Sequence, residues 1–250
     1  LRSSHKDSTL HKTGLMLARL LFFIYCFSGF FAHGQFHELG LFIGGSNYIG
    51  DIGTNRYLDP NSPALGVIYK WNITERYSFR GGLTFTTLRG IENNNSDLNR
   101  YNRAYTFENG IQDATLGVEF NFKTFNLHDA DFNFSPYLFY GISYFRYNQL
   151  LVNPSGPLNQ PDYTNYGKEE KFAIPFILGF KLNPNPLLVL GLETGIRYTF
   201  TDNLDGSNPE NQYVDEMAYK FGNIGNNDWY LFMGLTISFT FGDLPCYCKE

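Results

Sequence analysis

The sequence predicts an all-β fold, an eight-stranded antiparallel up-and-down transmembrane β-barrel of the outer-membrane type. Three observations support this prediction. An apolar segment near the N-terminus has the form of an export signal, eight later segments alternate apolar and polar residues, and the connections between them alternate short and long. Barrels of the bacterial outer membrane combine alternating strands with short periplasmic turns and longer external loops.

Composition favours strands over helices as the membrane-spanning element. Aromatic residues make up 18% of the chain and charged residues only 17%, whereas a soluble domain carries about 25% charged residues. After the N-terminal segment, no apolar run reaches the roughly 20 residues that a membrane helix needs.

The apolar N-terminal segment, residues 15–32, predicts an N-terminal extension and cleaved signal peptide over residues 1–34. Lys12 and Arg19 lie on its N-terminal side, and it ends in Ala32-His33-Gly34. A basic start, an apolar centre and small residues before the cleavage point are typical of a secretory signal. A buried helix is the alternative.

The exported chain is acidic, which argues against nucleic acid as a partner. Without residues 1–34 it carries 15 basic and 23 acidic residues, a net charge of −8. Proteins that bind nucleic acid usually present a basic patch or stripe, and this sequence has none.

The predicted barrel domain covers residues 35–242. Its alternating segments are 38–48, 63–72, 77–88, 115–123, 134–147, 171–182, 187–200 and 231–241. In the last segment the odd positions from Leu231 to Phe241 are apolar, and in 115–123 Glu119 and Lys123 share the opposite, polar face. We expect the apolar set to face lipid and the polar set to face the lumen.

The connections between these segments predict the orientation. The short ones are 72–76, 124–133 and 183–186, and the long ones are 49–62, 89–110, 148–170 and 201–228. Short turns lie on the periplasmic side, so both termini are expected in the periplasm of a bacterial outer-membrane protein.

The lumen of an eight-stranded barrel is only wide enough to be filled by side chains. The lumen-facing charged residues that the alternation identifies are Arg80, Glu119, Glu193 and Arg197. Buried charges need partners, so we expect these residues to form ion pairs that fill the lumen and leave no aqueous channel.

Aromatic residues near the strand ends suggest a belt at the membrane surface. They are Tyr48, Tyr69, Trp71, Tyr77, Tyr144, Tyr147, Tyr198, Trp229 and Tyr230. Tyr and Trp suit the headgroup level because their rings are apolar and their tips are polar. Ordinary packing of aromatic residues inside a β-structure is the alternative.

The sequence offers little material for catalysis, so we expect no enzyme and no cofactor. The exported chain has two histidines, His37 and His128, both expected in solvated turns, whereas a catalytic zinc site needs about three protein ligands. The acidic segment 202–208 could hold calcium but lacks the distal Glu of an EF-hand. We expect it to be a solvated loop, because Asp, Asn, Gly and Ser dominate turns.

The predicted periplasmic tail, residues 243–250, contains Cys246 and Cys248. A disulfide between cysteines one residue apart would close a strained ring. This spacing in an exported protein suggests pairing with another molecule or a reactive thiol. A strained local disulfide or free thiols are equally open alternatives.

The segment from His37 to Gly53, together with Phe79 to Leu83 and Asp228 to Tyr230, resembles the PorG family of the type IX secretion system of Bacteroidetes. The broader set of barrels to which that family belongs shares the first segment. The resemblance implies a small, non-enzymatic outer-membrane barrel for protein transport. It also implies association with a periplasmic ring formed by the lipoprotein PorK and its partner PorN.

Three functions remain open from the sequence. The first is an anchor for a secretion ring, and the second is a barrel that binds ligands or surfaces through its long loops 89–110, 148–170 and 201–228. The third is a soluble barrel of lipocalin type, which would place its apolar face inside and its polar face outside.

Overall fold

The computed structural model describes residues 36–52, 58–91, 105–127, 132–152, 163–213, 215, 217–223 and 225–242. The predicted signal over residues 1–34 and the predicted tail with Cys246 and Cys248 lie outside the described residues, as does His128. Within the described ranges, no helix is long and apolar enough to cross a membrane.

The described chain forms one closed antiparallel barrel, which confirms the predicted strand number and topology. The strands are β1 Phe36–Ile49, β2 Ser62–Asn72, β3 Tyr77–Ile91, β4 Thr106–Asn121, β5 Asn133–Val152, β6 Tyr163–Asn185, β7 Leu188–Thr199 and β8 Trp229–Phe241. Each strand pairs with the next, and β8 closes on β1. Two 3-10 turns, Asn211–Tyr213 and Met217–Tyr219, lie between β7 and β8.

The direction in which the side chains face is the predicted one. Leu41 of β1 pairs with Val67 of β2 and with Ile237 of β8, and all three side chains are exposed on the outer wall. The residues between them along each strand point inward and include buried charges such as Glu38 and Lys70. The wall is therefore apolar outside and polar inside, which is opposite to a lipocalin.

Two residues depart from the predicted facing. Leu231 was expected on the exposed outer face, but its side chain is only 3% exposed. It pairs with Asn47 of β1 and with Ile196 of β7. Lys123 is exposed instead of facing the lumen, because β4 ends at Asn121. The alternation that governs a strand no longer applies beyond its last residue.

Three aromatic residues of the predicted belt point into the barrel. Tyr48, Tyr147 and Tyr230 are buried and belong to the main apolar core, which fills the loop end of the interior. The other six are exposed or half-buried: Tyr69, Trp71, Tyr77, Tyr144, Tyr198 and Trp229. The aromatic residues therefore divide between an outer belt and the internal core.

The two ends of the barrel differ, and we name them by their connections. The turn end carries the short links between β2 and β3, β4 and β5, and β6 and β7, and both β1 and β8 have a terminus there. The loop end carries the other four connections. β5 has 20 residues and β6 has 23, so these strands extend further toward the loop end than the apolar alternation indicated.

Candidate functional site

The lumen near the turn end contains a network of buried charges centred on Glu119. Lys181 Nζ lies 2.7 Å from Glu119 Oε1, Lys70 Nζ lies 2.8 Å from Oε2, and Arg80 Nη1 lies 3.3 Å from Oε2. All four side chains are buried. Since β2, β3, β4 and β6 each contribute one of these residues, the network ties together strands on different sides of the barrel.

Arg80 extends the network to β7 through a bidentate ion pair. Its Nη1 and Nη2 donate to Glu193 Oε2 and Oε1 at 2.9 and 2.8 Å. Tyr137 of β5 also donates its hydroxyl hydrogen to Glu193 Oε2 at 2.5 Å. Bidentate, charge-assisted contacts of this geometry are among the strong hydrogen bonds. They cross the lumen and connect β3 and β5 to β7.

Arg197, the fourth predicted residue, does not join this network. Arg197 and Glu193 are four residues apart on β7, so their Cα atoms are separated by about 13 Å along the strand. Arg197 Nε lies 3.9 Å from Asp113 Oδ2, and its Nη1 donates to the carbonyl oxygen of Gly195 at 3.0 Å. The structure therefore brings Arg80, Glu119 and Glu193 together and places Arg197 in a separate layer with Asp113.

Lys70 and Lys181 also belong to the network but were not predicted, because their segments alternate less regularly than the last strand does. The signal was nevertheless present. Lys70 follows the inward-facing Ile68 by two residues, and Lys181 follows the inward-facing Gly179 by two residues. Side chains two apart on a strand share a face, so extending the alternation through both segments identifies them.

The space between the two layers is very small. A cavity of about 10 Å³ lies between Arg80, Glu193, Arg197 and Phe232. That volume is about the minimum that holds one water molecule. This cavity thus offers room for about one water molecule.

The loop end is closed by a plug, which we define as residues 201–207 of the connection between β7 and β8. Leu204 is fully buried in the apolar core. Asn109 Nδ2 of β4 donates to its carbonyl oxygen at 2.7 Å, and its own amide donates to Asp228 Oδ2 at 2.9 Å. The prediction of a solvated loop here is wrong, because the barrel supplies apolar contacts and hydrogen-bond partners that local turn chemistry does not reveal.

Gly206 gives the plug its sharp turn. Its φ is +81°, a left-handed conformation that other residues adopt only with strain. A Cβ atom at this position would lie 2.9 Å from the carbonyl oxygen of Leu150. Glycine is therefore required by both the backbone conformation and the close approach of β5.

Four carboxyl groups lie buried around the plug, on Asp51, Asp202, Asp205 and Asp228. Burial, together with the nearby carboxylates of Asp51 and Asp205, raises the pKa of Asp202 to about 7. Burial also raises the pKa of Asp205 and of Asp228. Among the described residues, no group of three or more His, Cys, Asp or Glu side chains is arranged to hold a metal ion.

Two of these carboxylates accept hydrogen bonds from β1 and from the residues that follow it. Ile52 donates its amide hydrogen to Asp205 Oδ2 at 3.0 Å, and Tyr48 donates its hydroxyl hydrogen to Asp228 Oδ1 at 2.5 Å. Polar contacts therefore fix the plug to the segment after β1 directly, to β1 through Asp228, and to β4 through Asn109.

His37 lies in β1 and not in a solvated turn. Its Nδ1 lies 2.8 Å from the hydroxyl oxygen of Tyr69, and its ring stacks on Phe241 with a centroid distance of 5.5 Å. It is a wall residue at the turn end.

The family described as "Domain of unknown function (DUF6089)" matches residues 17–250. The chain belongs to the DUF6089 family. No curated protein matches this DUF6089 chain.

Solved structures similar to the DUF6089 chain include three outer-membrane barrels. Ail, the attachment invasion locus protein of Yersinia pestis, solved with the heparin analogue sucrose octasulfate, is 13% identical with a TM-score of 0.45, over 84% of this chain and 100% of Ail. Neisserial surface protein A is 11% identical with a TM-score of 0.43, over 84% and 98%. OprG of Pseudomonas aeruginosa is 10% identical with a TM-score of 0.42, over 84% and 97%.

Proposed function

We propose that the protein is a non-conducting barrel of the bacterial outer membrane, which anchors or seats the periplasmic ring of the type IX secretion machinery. It acts without catalysis and without a cofactor. The observation that carries the proposal is the filled lumen, with the Glu119 network near the turn end and the plug at the loop end. A barrel that is closed inside acts through its outer surfaces.

The outer wall supports placement in lipid. Its exposed apolar side chains on the strands include Leu39, Leu41, Ile43, Leu65, Val67, Leu83, Phe85, Leu116, Val118, Ile142, Phe176, Leu178, Leu192, Leu235, Ile237 and Phe239. Each strand pairs with both of its neighbours around the closed barrel, and backbone pairing of this kind is a condition for crossing a membrane with strands. Membrane lipid is therefore the first partner we assign.

The turn end supports a role toward the periplasm. Short connections are typical of the periplasmic side, and β1 starts and β8 ends at this end, where His37 pairs with Phe241. The tail with Cys246 and Cys248 follows β8 directly in the sequence. The resemblance to the PorG family supports a PorK/PorN-like ring as the partner that the turns and the tail contact.

Non-reducing electrophoresis of outer-membrane fractions tests a covalent form of this contact. Wild type is compared with a Cys246→Ser/Cys248→Ser variant. We expect a high-mass band that disappears with reductant and in the variant, and that contains a ring lipoprotein by mass spectrometry. If both samples give a monomer band only, and amine cross-linking also captures no ring component, the anchor function is wrong.

A second candidate function is the binding of ligands or surfaces at the loop end. It is favoured by β5 and β6, which extend as a hairpin beyond the exposed apolar wall. Replacing residues 153–162 with a short turn separates the two functions. It leaves association with the ring intact if the protein is an anchor, and it abolishes binding if the loops are the functional surface.

A further inference from the structure

The barrel wall opens between β4 and β5 near the loop end. Backbone pairing of these strands stops at Gln112 and Arg146, although β4 begins at Thr106 and β5 continues to Val152. Both neighbouring pairs of strands remain paired to their ends, β3 with β4 up to Thr106 and β5 with β6 up to Val152. The opening is therefore a local separation of two otherwise complete strands.

A side chain replaces the missing backbone pairing. Asn109 Nδ2 donates to the carbonyl oxygen of Asn148 at 2.8 Å, and the amide of Asn148 donates to Asn109 Oδ1 at 2.9 Å. Because a side chain spans the gap, the two backbones lie further apart than in a ladder, where strands are about 4.8 Å apart. Asn109 also donates to the plug, so the same residue holds the opening and the plug in place.

The opening forms a cavity of about 270 Å³ on the outer wall. Its lining combines the apolar ring of Phe85 with the polar side chains of Gln112 and Asn148 and the basic side chains of Arg146 and Lys168. The described part of the chain thus places two cations and an apolar surface at one gap in the wall.

Strand register places this cavity where the apolar wall ends. Leu83, Ala114, Tyr144 and Phe172 form one row across β3 to β6, and the next row toward the loop end is Phe85, Gln112, Arg146 and Glu170. The first row is apolar except for the hydroxyl group of Tyr144, which donates to Glu170, and the second row is polar except for Phe85. In a membrane-embedded barrel, this change marks the level of the lipid headgroups.

Both cations are accessible from outside. Arg146 Nε lies 3.4 Å from Glu170 Oε1, and both side chains are about half exposed. Lys168 pairs with Asn148 in the backbone register and is exposed, and no described carboxylate forms an ion pair with it. An anion that enters the cavity meets two donors and displaces only one solvated ion pair, which costs little.

We propose that this cavity binds the phosphate of a membrane lipid headgroup, with Arg146 and Lys168 as its ligands. The acyl chains of the lipid lie along the apolar wall below, starting at Phe85. Guanidinium groups match phosphate geometry well, and basic pockets at the membrane surface recognise anionic headgroups. The proposal rests on the membrane placement proposed above but not on the secretion role.

The test measures binding of a short-chain phosphatidic acid to the full, delipidated barrel in a non-ionic detergent by native mass spectrometry. The site variant is Arg146→Gln/Lys168→Gln. The matched control is Arg89→Gln, because Arg89 is also an exposed cation on the loop-end wall but pairs with Glu108 at 2.9 Å outside the cavity. Retained heat-modifiable migration in electrophoresis shows that each variant is folded.

We expect the site variant to lose affinity by about tenfold or more, because it removes two charge-assisted contacts, whereas Arg89→Gln binds like wild type. Phosphatidylcholine of the same chain length binds more weakly to wild type, and excess inorganic phosphate fails to displace the lipid. Equal loss in the control, unchanged binding in the site variant, or full displacement by inorganic phosphate overturns the proposal. A chain that stays soluble without detergent contradicts the membrane placement itself, independently of the lipid result.

Discussion

Glu119→Gln tests whether the charge network holds the barrel together. Glu119 is fully buried and contacts Lys70, Arg80 and Lys181. Gln keeps the shape of the side chain and removes its charge. The three cations are then left with fewer anionic partners at the turn end of the lumen.

The expected loss is large because the remaining cations stay buried. Removing one partner from a buried ion pair costs about 3–5 kcal/mol. The control Glu108→Gln removes an exposed carboxylate that pairs with Arg89 at 2.9 Å, and exposed pairs contribute about 0.2–1 kcal/mol. The two substitutions make the same chemical change at sites that differ in burial.

Urea unfolding in detergent micelles, followed by tryptophan fluorescence, measures the difference. With a urea slope of about 2 kcal/mol per M, Glu119→Gln shifts the midpoint downward by about 2 M, and Glu108→Gln shifts it by less than about 0.5 M. Adding Lys181→Met to Glu119→Gln restores part of the loss, because it removes one unpaired cation. Equal shifts in the two single variants would refute the network's structural role.

Three further predictions concern the wall and the plug. Leu235 is 56% exposed on the outer wall, so Leu235→Arg lowers the free energy of unfolding in lipid by about 2–4 kcal/mol; a variant that assembles with wild-type stability contradicts the assigned facing. Burial raises the pKa of Asp202 from 3.8 to about 7, so the protonated side chain stabilises the plug. This stabilisation is complete below pH 3.8 and is lost as the pH rises through about 7. Hydrogen exchange at the Leu204 amide, corrected for its intrinsic pH dependence, should accelerate over that range in wild type but not in Asp202→Asn. Gly206→Ala places a Cβ in a left-handed turn, so it reduces the free energy of protection of the same amide by about 1–2 kcal/mol. Unchanged protection would show that position 206 does not require glycine.

Much of the barrel wall could be predicted from the sequence, because each lipid-facing strand segment carries its own period of two. Leu235, Ile237 and Phe239 face outward as expected. The strand ends were less predictable. Beyond the apolar wall the outward positions become polar, as at Arg146 and Lys168, so the apolar alternation stops while the backbone ladder between β5 and β6 continues.

The interior could be predicted only in part. Arg80, Glu119 and Glu193 meet as anticipated, whereas Arg197 lies with Asp113, because position along the strand decides which layer a side chain joins. The plug could not be predicted, since the segment 202–208 has an ordinary loop composition. Its burial depends on Asn109, which is distant in the sequence and becomes a neighbour only when the barrel closes.

The measurement that tests the closed lumen most directly is single-channel recording of the full chain in planar lipid bilayers. A barrel filled by the Glu119 network and capped by the plug gives no stepwise currents. Deleting residues 201–207 also gives none, because the charge network near the turn end remains. Stable, unitary conductance steps from the wild-type chain would contradict the closed lumen and the anchoring function inferred from it.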